Sequence, residues 1–261
     1  MEISLQGKNA LVGGGSAGIG RAVALELAAL GASVTLLART ESALEAALRD
    51  LDTTQGQQHG YIVADFSQSD QLVQQVKVLC AQRTIHILVN NTGGPAGGPI
   101  TEATPEAFLA TYHNHLICNQ LLAQTVLPGM QAAGFGRIIN IISTSVKEPL
   151  DHLGVSNTTR WAVAGWAKTW ANEVGRFGIT VNNVLPGYTR TGRLKEIVEK
   201  RAAASSQTTA AVEEQFKSQV PLRRFAEPAE VAAAVAFLAS PAAGYISGIN
   251  LPVDGGRTKS L

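Results

Sequence analysis

Three polar side chains stand where this sequence could act chemically on a small molecule: Ser143, Ser156 and Arg160. Ser143 directly follows the largely apolar run 137–142, which is typical of a buried strand. Open α/β sheets bind ligands at the carboxyl ends of their strands, so a hydroxyl at this point can orient a bound group. Ser156 and Arg160 lie in the helical segment that follows, and their spacing puts both on one helix face. We therefore expect the chemistry between this strand end and this helix.

A glycine-rich turn near the amino terminus predicts a nucleotide site. Residues 9–12 form a short apolar run, residues 13–20 contain five glycines, and helical periodicity continues from residue 21 to residue 30. Glycines permit the tight turn and let the backbone approach a pyrophosphate, while the first N–H groups of the helix face the anion. The residues that we expect to contact the nucleotide are Gly14, Ser16, Gly18, Ile19 and Gly20.

The end of the second predicted strand indicates which dinucleotide binds. Proteins that prefer NAD normally carry an acid about twenty residues after the glycine turn, where it binds the ribose 2′-hydroxyl. Residues 36–38 offer no acid, and Arg39 follows them. A guanidinium matches a 2′-phosphate in charge and in bidentate geometry, so we expect NADP(H) to be preferred over NAD(H). The alternative is a solvated arginine at a strand end.

Alternating strands and helices must position these residues. Apolar runs predict strands, and amphipathic segments between them predict helices; the strands are 9–12, 33–38, 61–64, 86–90, 137–142, 180–184 and 249–253, and the helices include 41–50, 68–82, 105–133 and 228–239. This order predicts an α/β fold in one domain, residues 1–261, built on a doubly wound, seven-stranded parallel sheet of the Rossmann type. Polar helical stretches at 193–204 and 207–219 predict a small helical lid over about 189–223, with solvated charges.

Composition narrows the class of partner. The chain is 45% hydrophobic and 16% charged, which indicates a globular protein, and a net charge of +1 gives no field that would attract nucleic acid or an anionic membrane. We therefore expect a small-molecule substrate. Cys80 and Cys118 lie in no metal-binding motif, so we predict no metal site. The amino terminus lacks the pattern of a signal peptide and no run is apolar enough to span a membrane, so we expect a cytoplasmic protein.

Taken together, the order of these motifs resembles the short-chain dehydrogenase/reductase family, closest to the 3-oxoacyl-carrier-protein reductases. The resemblance covers essentially the whole chain and rests on the glycine turn, Asp65, Asn90-Asn91-Thr92-Gly93, Ser143, Pro186-Gly187 with Thr191, and the ending from 224 to 256. It implies an NAD(P)(H)-dependent oxidoreductase that interconverts a ketone and an alcohol and assembles as a homodimer or homotetramer. It also implies cofactor contacts for Asp65, Asn91, Gly93, Pro186, Gly187 and Thr191.

The catalytic positions depart from the family pattern. The family places a tyrosine thirteen residues beyond its serine and a lysine four residues later, and here those positions hold Ser156 and Arg160. An aliphatic hydroxyl is a far poorer acid than a phenol, so Ser156 is expected to donate a hydrogen bond or relay a proton from water. Arg160 is always protonated and is expected to orient the ribose or stabilise an oxyanion.

Two other residues are candidates for the missing acid. His115 titrates near neutrality and acts as an acid if it faces the cleft; the alternative is a histidine on the helix surface or in an interface. Tyr188 follows Pro186-Gly187 and faces the nicotinamide pocket or packs against the lid. Two functions remain open: a reductase with a non-standard proton relay, and a catalytically silent homologue that binds cofactor or ligand and supports a partner subunit.

Overall fold

A single parallel sheet forms the centre of the computed structural model, which describes residues 1–260. Its strands are β1 Asn9–Gly13, β2 Ser33–Ala38, β3 Gly60–Val63, β4 Ile87–Asn90, β5 Gly136–Ile141, β6 Ile179–Pro186 and β7 Asn250–Val253. The seven strands are ordered β3-β2-β1-β4-β5-β6-β7, and every neighbouring pair is parallel. The strand order reverses between β1 and β4, which is where such sheets bind ligands. The predicted doubly wound sheet is confirmed.

Helices cover both faces of the sheet. They are α1 Gly18–Ala29, α2 Glu41–Arg49, α3 Ser69–Gln82, α4 Pro105–Tyr112, α5 Cys118–Ala133, α6 Gly154–Val174, α7 Gly192–Ser205, α8 Thr209–Ser218 and α9 Pro228–Ala239. One apolar cluster lies under α1, α2 and α9, and a second lies under α3, α5 and α6. Successive strand residues point to opposite clusters, as Leu11 and Val12 do in β1. Burial on both faces explains why the strands read as continuous apolar runs.

A π turn divides the long helix predicted over 105–133. The turn spans His113–Ile117 and separates α4 from α5 without breaking the helical path. A π turn inserts one extra residue into the helix, which rotates the following residues relative to those before it. His115 is buried by this arrangement, with 3% of its surface exposed. The periodicity of the sequence predicts the helix but not the inserted residue, because tertiary packing stabilises the turn.

A ladder of four buried or half-buried asparagines crosses the half of the sheet formed by β4 to β7, from the last residue of β4 to the first residue of β7. The Asn90 side-chain amide donates to Asn140, Asn140 donates to Asn183, and Asn183 donates to Asn250, each at 2.8 Å. The four residues occupy directly paired positions on β4 to β7. Because each amide satisfies its neighbour only in this pairing, the ladder fixes the register of the strands that carry the site.

The predicted lid corresponds to α7 and α8, which have a small apolar cluster of their own. Leu194 and Val198 from α7 pack with Val212 from α8 and with Phe225, which follows the lid. This cluster is separate from the two clusters that flank the sheet. The lid thus packs mainly within itself and is joined to the edge of the sheet by few other elements.

Candidate active site

The glycine turn is packed so closely that side chains are excluded from it. Gly14 and Gly18 have φ angles of +59° and +53°, in the left-handed region that favours glycine. A Cβ on Gly14 would lie 2.6 Å from the Asn91 amide nitrogen, and one on Gly20 would lie 2.2 Å from the Gly14 carbonyl oxygen. Asn91 in turn donates to the Gly13 carbonyl at 3.1 Å, which ties the turn to the end of β4.

The start of α1 fits an anionic group. Its N-cap is Ala17, which provides no side-chain hydrogen bond, so the first N–H groups of the helix lack a side-chain acceptor. Ser16 is half-buried beside this helix end, and Ile19 packs against the apolar cluster below. An uncapped helix start behind a turn with no room for side chains is the geometry that binds a pyrophosphate. The residues present therefore fit a dinucleotide.

Residues from distant parts of the chain converge on the same turn. A Cβ on Gly18 would lie 3.3 Å from the Thr191 methyl carbon, and Thr191 also caps α7 by accepting from the Leu194 N–H at 3.3 Å. Pro186 ends β6, and the Gly187 N–H donates to the Val253 carbonyl at 3.0 Å. The structure thus brings Thr191 to the glycine turn and places Pro186 and Gly187 at the same edge of the sheet.

Arg39 and Asp65 lie at the carboxyl ends of neighbouring strands. Arg39 is exposed and donates no hydrogen bond to any of residues 1–260. The hydrogen bond from the Ser67 N–H holds the pKa of Asp65 below its usual value, and the positive charge of Arg39 adds to this effect. Asp65 remains ionised at neutral pH, and the Arg39 guanidinium keeps its donors available to a ligand.

Ser143 and Ser156 present hydroxyl groups near the end of β5. The Ser143 oxygen accepts a hydrogen bond from the Ser145 N–H at 3.0 Å, so its own hydroxyl hydrogen stays available for donation to a ligand. Ser156 lies in the first turn of α6 and is half-buried, and its hydroxyl forms no hydrogen bond within the described chain. Both hydroxyls are therefore available to donate to a ligand.

Arg160 lies one turn further along α6 and is buried. One of its terminal nitrogens donates to the Ile141 carbonyl at 3.1 Å, at the last residue of β5. Its other terminal nitrogen lies 3.9 Å from where a Cβ on Gly94 would stand. Burial lowers the pKa of Arg160 from 12.5 to about 10, which leaves the guanidinium charged at neutral pH. The structure thus joins the predicted arginine to the strand end that carries Ser143.

His115 does not titrate near neutrality as expected. Burial is the main cause that lowers the pKa of His115 from 6.5 to about 3, the charge of Arg160 lowers it further, and a hydrogen bond with the Gly93 backbone offsets part of the shift. The imidazole is therefore neutral at physiological pH. The expectation of a near-neutral pKa is wrong, and so is the alternative of a surface histidine, because the π turn carries the side chain into the interior.

Tyr188 packs against the lid. Its hydroxyl donates to the side-chain oxygen of Gln219 at 3.0 Å, and its ring stacks on Phe216 with centroids 4.7 Å apart. The Arg257 guanidinium lies 4.6 Å from the centroid of the same ring. Of the two roles considered for Tyr188, packing is the one that these contacts support, because its hydroxyl is engaged by the lid.

Two contacts at the rim of the site were not expected from the sequence. Arg193 in α7 donates to the Pro95 carbonyl at 2.5 Å, so at least one lid charge is not simply solvated as predicted. Glu148 accepts from the backbone N–H groups of Lys259 and Ser260 at 2.7 and 3.0 Å. Residues 93–99 are rich in glycine and proline, which is typical of a loop, but nothing in the local sequence indicated that this loop contacts α7.

Across residues 1–260 no group of three or more His, Cys, Asp or Glu side chains is arranged to hold a metal ion. None of the helices in this part of the chain is long and apolar enough to cross a membrane.

Comparison with known proteins identifies the family. A family model described as enoyl-(acyl carrier protein) reductase matches residues 14–258. The chain is 34% identical over 266 residues to the 3-oxoacyl-[acyl-carrier-protein] reductase of Pseudomonas aeruginosa, covering 99% of this chain and 100% of that protein.

Solved structures agree. The L-sorbose reductase of Gluconobacter frateurii, in complex with NADPH and L-sorbose, superposes with a TM-score of 0.93 at 31% identity over all of both chains. A structure described as a short chain dehydrogenase/reductase family protein superposes with a TM-score of 0.82 at 34% identity, covering 98% of this chain and 99% of that one. The prediction of a short-chain oxidoreductase is thereby confirmed, and the chain belongs to the short-chain dehydrogenase/reductase family.

Proposed function

We propose that this chain is an NADP(H)-dependent reductase that interconverts a ketone and an alcohol, in the manner of a 3-oxoacyl reductase, through a non-standard proton relay. The observation that carries the proposal is that Arg160, one turn beyond Ser156 on α6, donates to the carbonyl of Ile141, the last residue of β5 and two residues before Ser143, in a chain whose glycine turn fits a dinucleotide. Two of the proteins named above are described as a 3-oxoacyl-[acyl-carrier-protein] reductase and an L-sorbose reductase, which supports the same class of reaction here.

The chain's own residues account for each part of the cofactor. The uncapped start of α1, with Gly14, Ser16, Gly18, Ile19 and Gly20 around it, would hold the pyrophosphate. Arg39 would bind the 2′-phosphate, and Asp65 would accept from the adenine amino group. Asn91, Gly93, Pro186, Gly187 and Thr191 would line the nicotinamide half. When bound, NADPH supplies the hydride for reduction of the ketone.

The hydroxyls and the guanidinium would act on the substrate oxygen. Ser143 donates to the carbonyl oxygen and orients it, and the fixed charge of Arg160 stabilises the negative charge that develops there. Because a serine hydroxyl is too weak an acid to protonate an alkoxide unaided, Ser156 would pass on a proton taken from water. Ser156 is half-exposed and free of internal hydrogen bonds, which is what a relay to solvent requires.

Neither substitute acid fits the relay as well. His115 has a pKa of about 3, so at neutral pH its ring is neutral and has no imidazolium proton to donate. The Tyr188 hydroxyl is held by Gln219 on the lid side of the site. We therefore assign proton delivery, the role of the family's tyrosine, to Ser156 together with solvent. Arg160 takes the place of the family's lysine.

The lid would cover the substrate during reaction. Its contact from Arg193 to Pro95 joins α7 to the glycine and proline loop that follows β4. Closing such a site would hold the substrate carbonyl in place against the Ser143 hydroxyl.

The proposal is tested by cofactor binding followed by turnover. NADPH added to the purified protein is expected to give saturable binding, measured by the change in its fluorescence. Addition of ketones, with 3-oxoacyl thioesters and ketoses among them, is then expected to consume NADPH, followed by absorbance. Failure of NADPH to bind would contradict the proposal, and binding without consumption of any ketone would favour the second candidate.

The second candidate is a catalytically silent homologue that binds cofactor or ligand and supports a partner subunit. It is favoured by one observation: neither of the two positions that hold the family's acid and its lysine carries that residue. A silent homologue would bind NADPH, because the glycine turn and Arg39 are intact, but would not transfer hydride by itself.

We also propose that the chain forms a homodimer or homotetramer. Large apolar side chains are exposed on neighbouring helices, among them Leu109 and Tyr112 on α4 and Trp161 on α6, with 70%, 44% and 51% of their surfaces accessible. Covering them with a second copy would remove apolar surface from water. Size-exclusion chromatography with light scattering is expected to give at least twice the mass of the 27.3 kDa chain; a monomer would exclude this assembly.

A further inference from the structure

We propose that Arg160 is the receptor for a carboxylate on the substrate, so that the chain acts on short oxo acids in preference to neutral ketones. This inference rests on the proposed reductase function and specifies the substrate class of the same site. Reduction of a ketone does not by itself require a carboxylate on the substrate, so this contact is an addition to the proposed reaction.

The two buried arginines differ in how well they are satisfied. Arg137 is 4% exposed and donates to the carbonyls of Ser240, Gly136 and Gly178, with its guanidinium 4.1 Å from the Phe135 ring centroid. Arg160 is 8% exposed and donates to the Ile141 carbonyl alone. A guanidinium has five N–H donors, and a buried charge without partners is costly. Arg137 therefore has three carbonyl acceptors and an aromatic ring beside its guanidinium, whereas Arg160 has one carbonyl acceptor.

No carboxylate of the protein supplies the missing charge. In residues 1–260 no Asp or Glu forms an ion pair with Arg160. Glu148, the acid nearest to Ser143 along the chain, is already bound by the backbone of Lys259 and Ser260. His115, which lies close enough for the two charges to interact, is neutral and adds no negative charge. An anion from outside the chain is the partner that would complete Arg160.

The Arg160 terminal nitrogen that has no hydrogen bond faces Gly94, where the lack of a side chain leaves room for a ligand. The terminal nitrogen that makes no hydrogen bond points toward Gly94, which has no side chain, at 3.9 Å from its virtual Cβ. A planar guanidinium matches the two oxygens of a carboxylate with paired hydrogen bonds, which an ammonium cannot do. Arginine at this position therefore suits a carboxylate better than it suits a hydroxyl.

The substrate is a better source of this anion than the cofactor. The 2′-phosphate already has Arg39, and the pyrophosphate has the uncapped start of α1. Arg160 instead shares a helix face with Ser156, one turn away, where side chains stand about 5–6 Å apart at Cβ. A molecule that meets both residues has its carbonyl and its carboxylate separated by only a few bonds, as in a 2-, 3- or 4-oxo acid.

The test compares acids with their esters. Initial rates with saturating NADPH are measured for pyruvate, acetoacetate and levulinate and for the methyl ester of each. The wild-type protein is expected to favour the acid in at least one pair by about 10-fold or more in kcat/KM, the size of a charge-assisted hydrogen bond. Arg160→Met is expected to lower kcat/KM for both acid and ester, because the charge also stabilises the oxyanion, and to lower it further for the acid, so that the acid-to-ester preference is lost. Arg160→Lys is expected to retain part of the preference.

A control variant and a binding measurement separate the explanations. Arg137→Met removes the other buried arginine and is expected to lower stability while leaving the acid-to-ester ratio unchanged. Butyrate, which cannot be reduced, is expected to raise the melting temperature of the wild-type NADPH complex, and butyramide is not. Arg160→Met is expected to lose the butyrate effect while its NADPH affinity, from fluorescence, stays within about threefold of wild type.

Several results would overturn the assignment. Equal kcat/KM for acid and ester in every pair would overturn it while leaving the reductase function intact. Weaker NADPH binding in Arg160→Met with an unchanged acid-to-ester ratio would make the cofactor the partner of Arg160. If no ketone is reduced at all, the reductase function fails, and the butyrate measurement still decides whether Arg160 binds a carboxylate.

Discussion

The double substitution Ser156→Tyr, Arg160→Lys is expected to raise kcat for ketone reduction by about 10²–10⁴-fold over the parent. It supplies a phenol, whose ordinary pKa is about 10, and a neighbouring ammonium that lowers this pKa toward neutrality. The parent has only an aliphatic hydroxyl at residue 156, so proton delivery to the alkoxide limits its rate. The measurement is NADPH consumption with the ketone that the parent reduces best.

A matched control isolates the phenol. Ser156→Phe, Arg160→Lys introduces the same ring and the same ammonium without the hydroxyl, and is expected to show no gain. The NADPH affinities of both double variants should be determined first, so that a change in kcat is not a change in cofactor occupancy.

Three outcomes distinguish the two candidate functions. Turnover by the parent, increased in the tyrosine variant, supports a reductase with a slow relay. Activity that is absent from the parent and present only in the tyrosine variant supports the silent homologue. If the tyrosine variant binds NADPH and gains no activity over a working parent, proton delivery does not limit the reaction and the proposed relay is wrong.

Arg39→Asp is expected to weaken NADPH binding by about 100-fold and to improve NADH binding. The change removes the charge-assisted hydrogen bonds expected between guanidinium and 2′-phosphate, about 1.5–3 kcal/mol, and adds repulsion from a carboxylate. A tenfold change in Kd corresponds to about 1.4 kcal/mol. The new carboxylate can instead accept from the ribose 2′-hydroxyl of NADH. Both Kd values are measured by fluorescence titration.

The control for Arg39 changes charge by the same amount elsewhere. Arg49, at the last turn of α2, is also exposed, and Arg49→Asp is expected to alter both Kd values by less than about threefold. If Arg39→Asp leaves the NADPH Kd unchanged, Arg39 is the solvated strand-end residue that was the alternative, and the preference for NADP(H) loses its support.

The local sequence was sufficient to predict strands, turns and helix ends that depend on neighbouring residues in the chain. Strand runs such as 33–38 are apolar on both faces, so helices must cover both sides of the sheet, and the predicted bounds match β2. The glycine turn was recognisable because positive φ angles and close backbone approach, as at Gly14, allow no other residue there. The helix over 228–239 begins with proline after a capping glutamate, and its bounds match α9.

The sequence did not predict how neighbouring strands align, nor where the π turn rotates the helix over 105–133. The asparagine ladder depends on four strands aligned at Asn90, Asn140, Asn183 and Asn250, and each of these residues by itself is only a polar interruption in a strand. The sequence feature that could have indicated the ladder was an asparagine inside an otherwise apolar strand.

The sequence by itself determined the α/β fold and the nucleotide turn, and it places Ser156 and Arg160 four residues apart in one helical segment. Tertiary structure alone decided the state of these groups. The π turn buries His115 and keeps it neutral, the lid engages the Tyr188 hydroxyl, and the meeting of α6 with β5 leaves Arg160 with a single acceptor. The reason is physical: residue type and spacing follow from the chain, whereas pKa and unmet hydrogen bonds depend on which distant groups exclude water from a side chain.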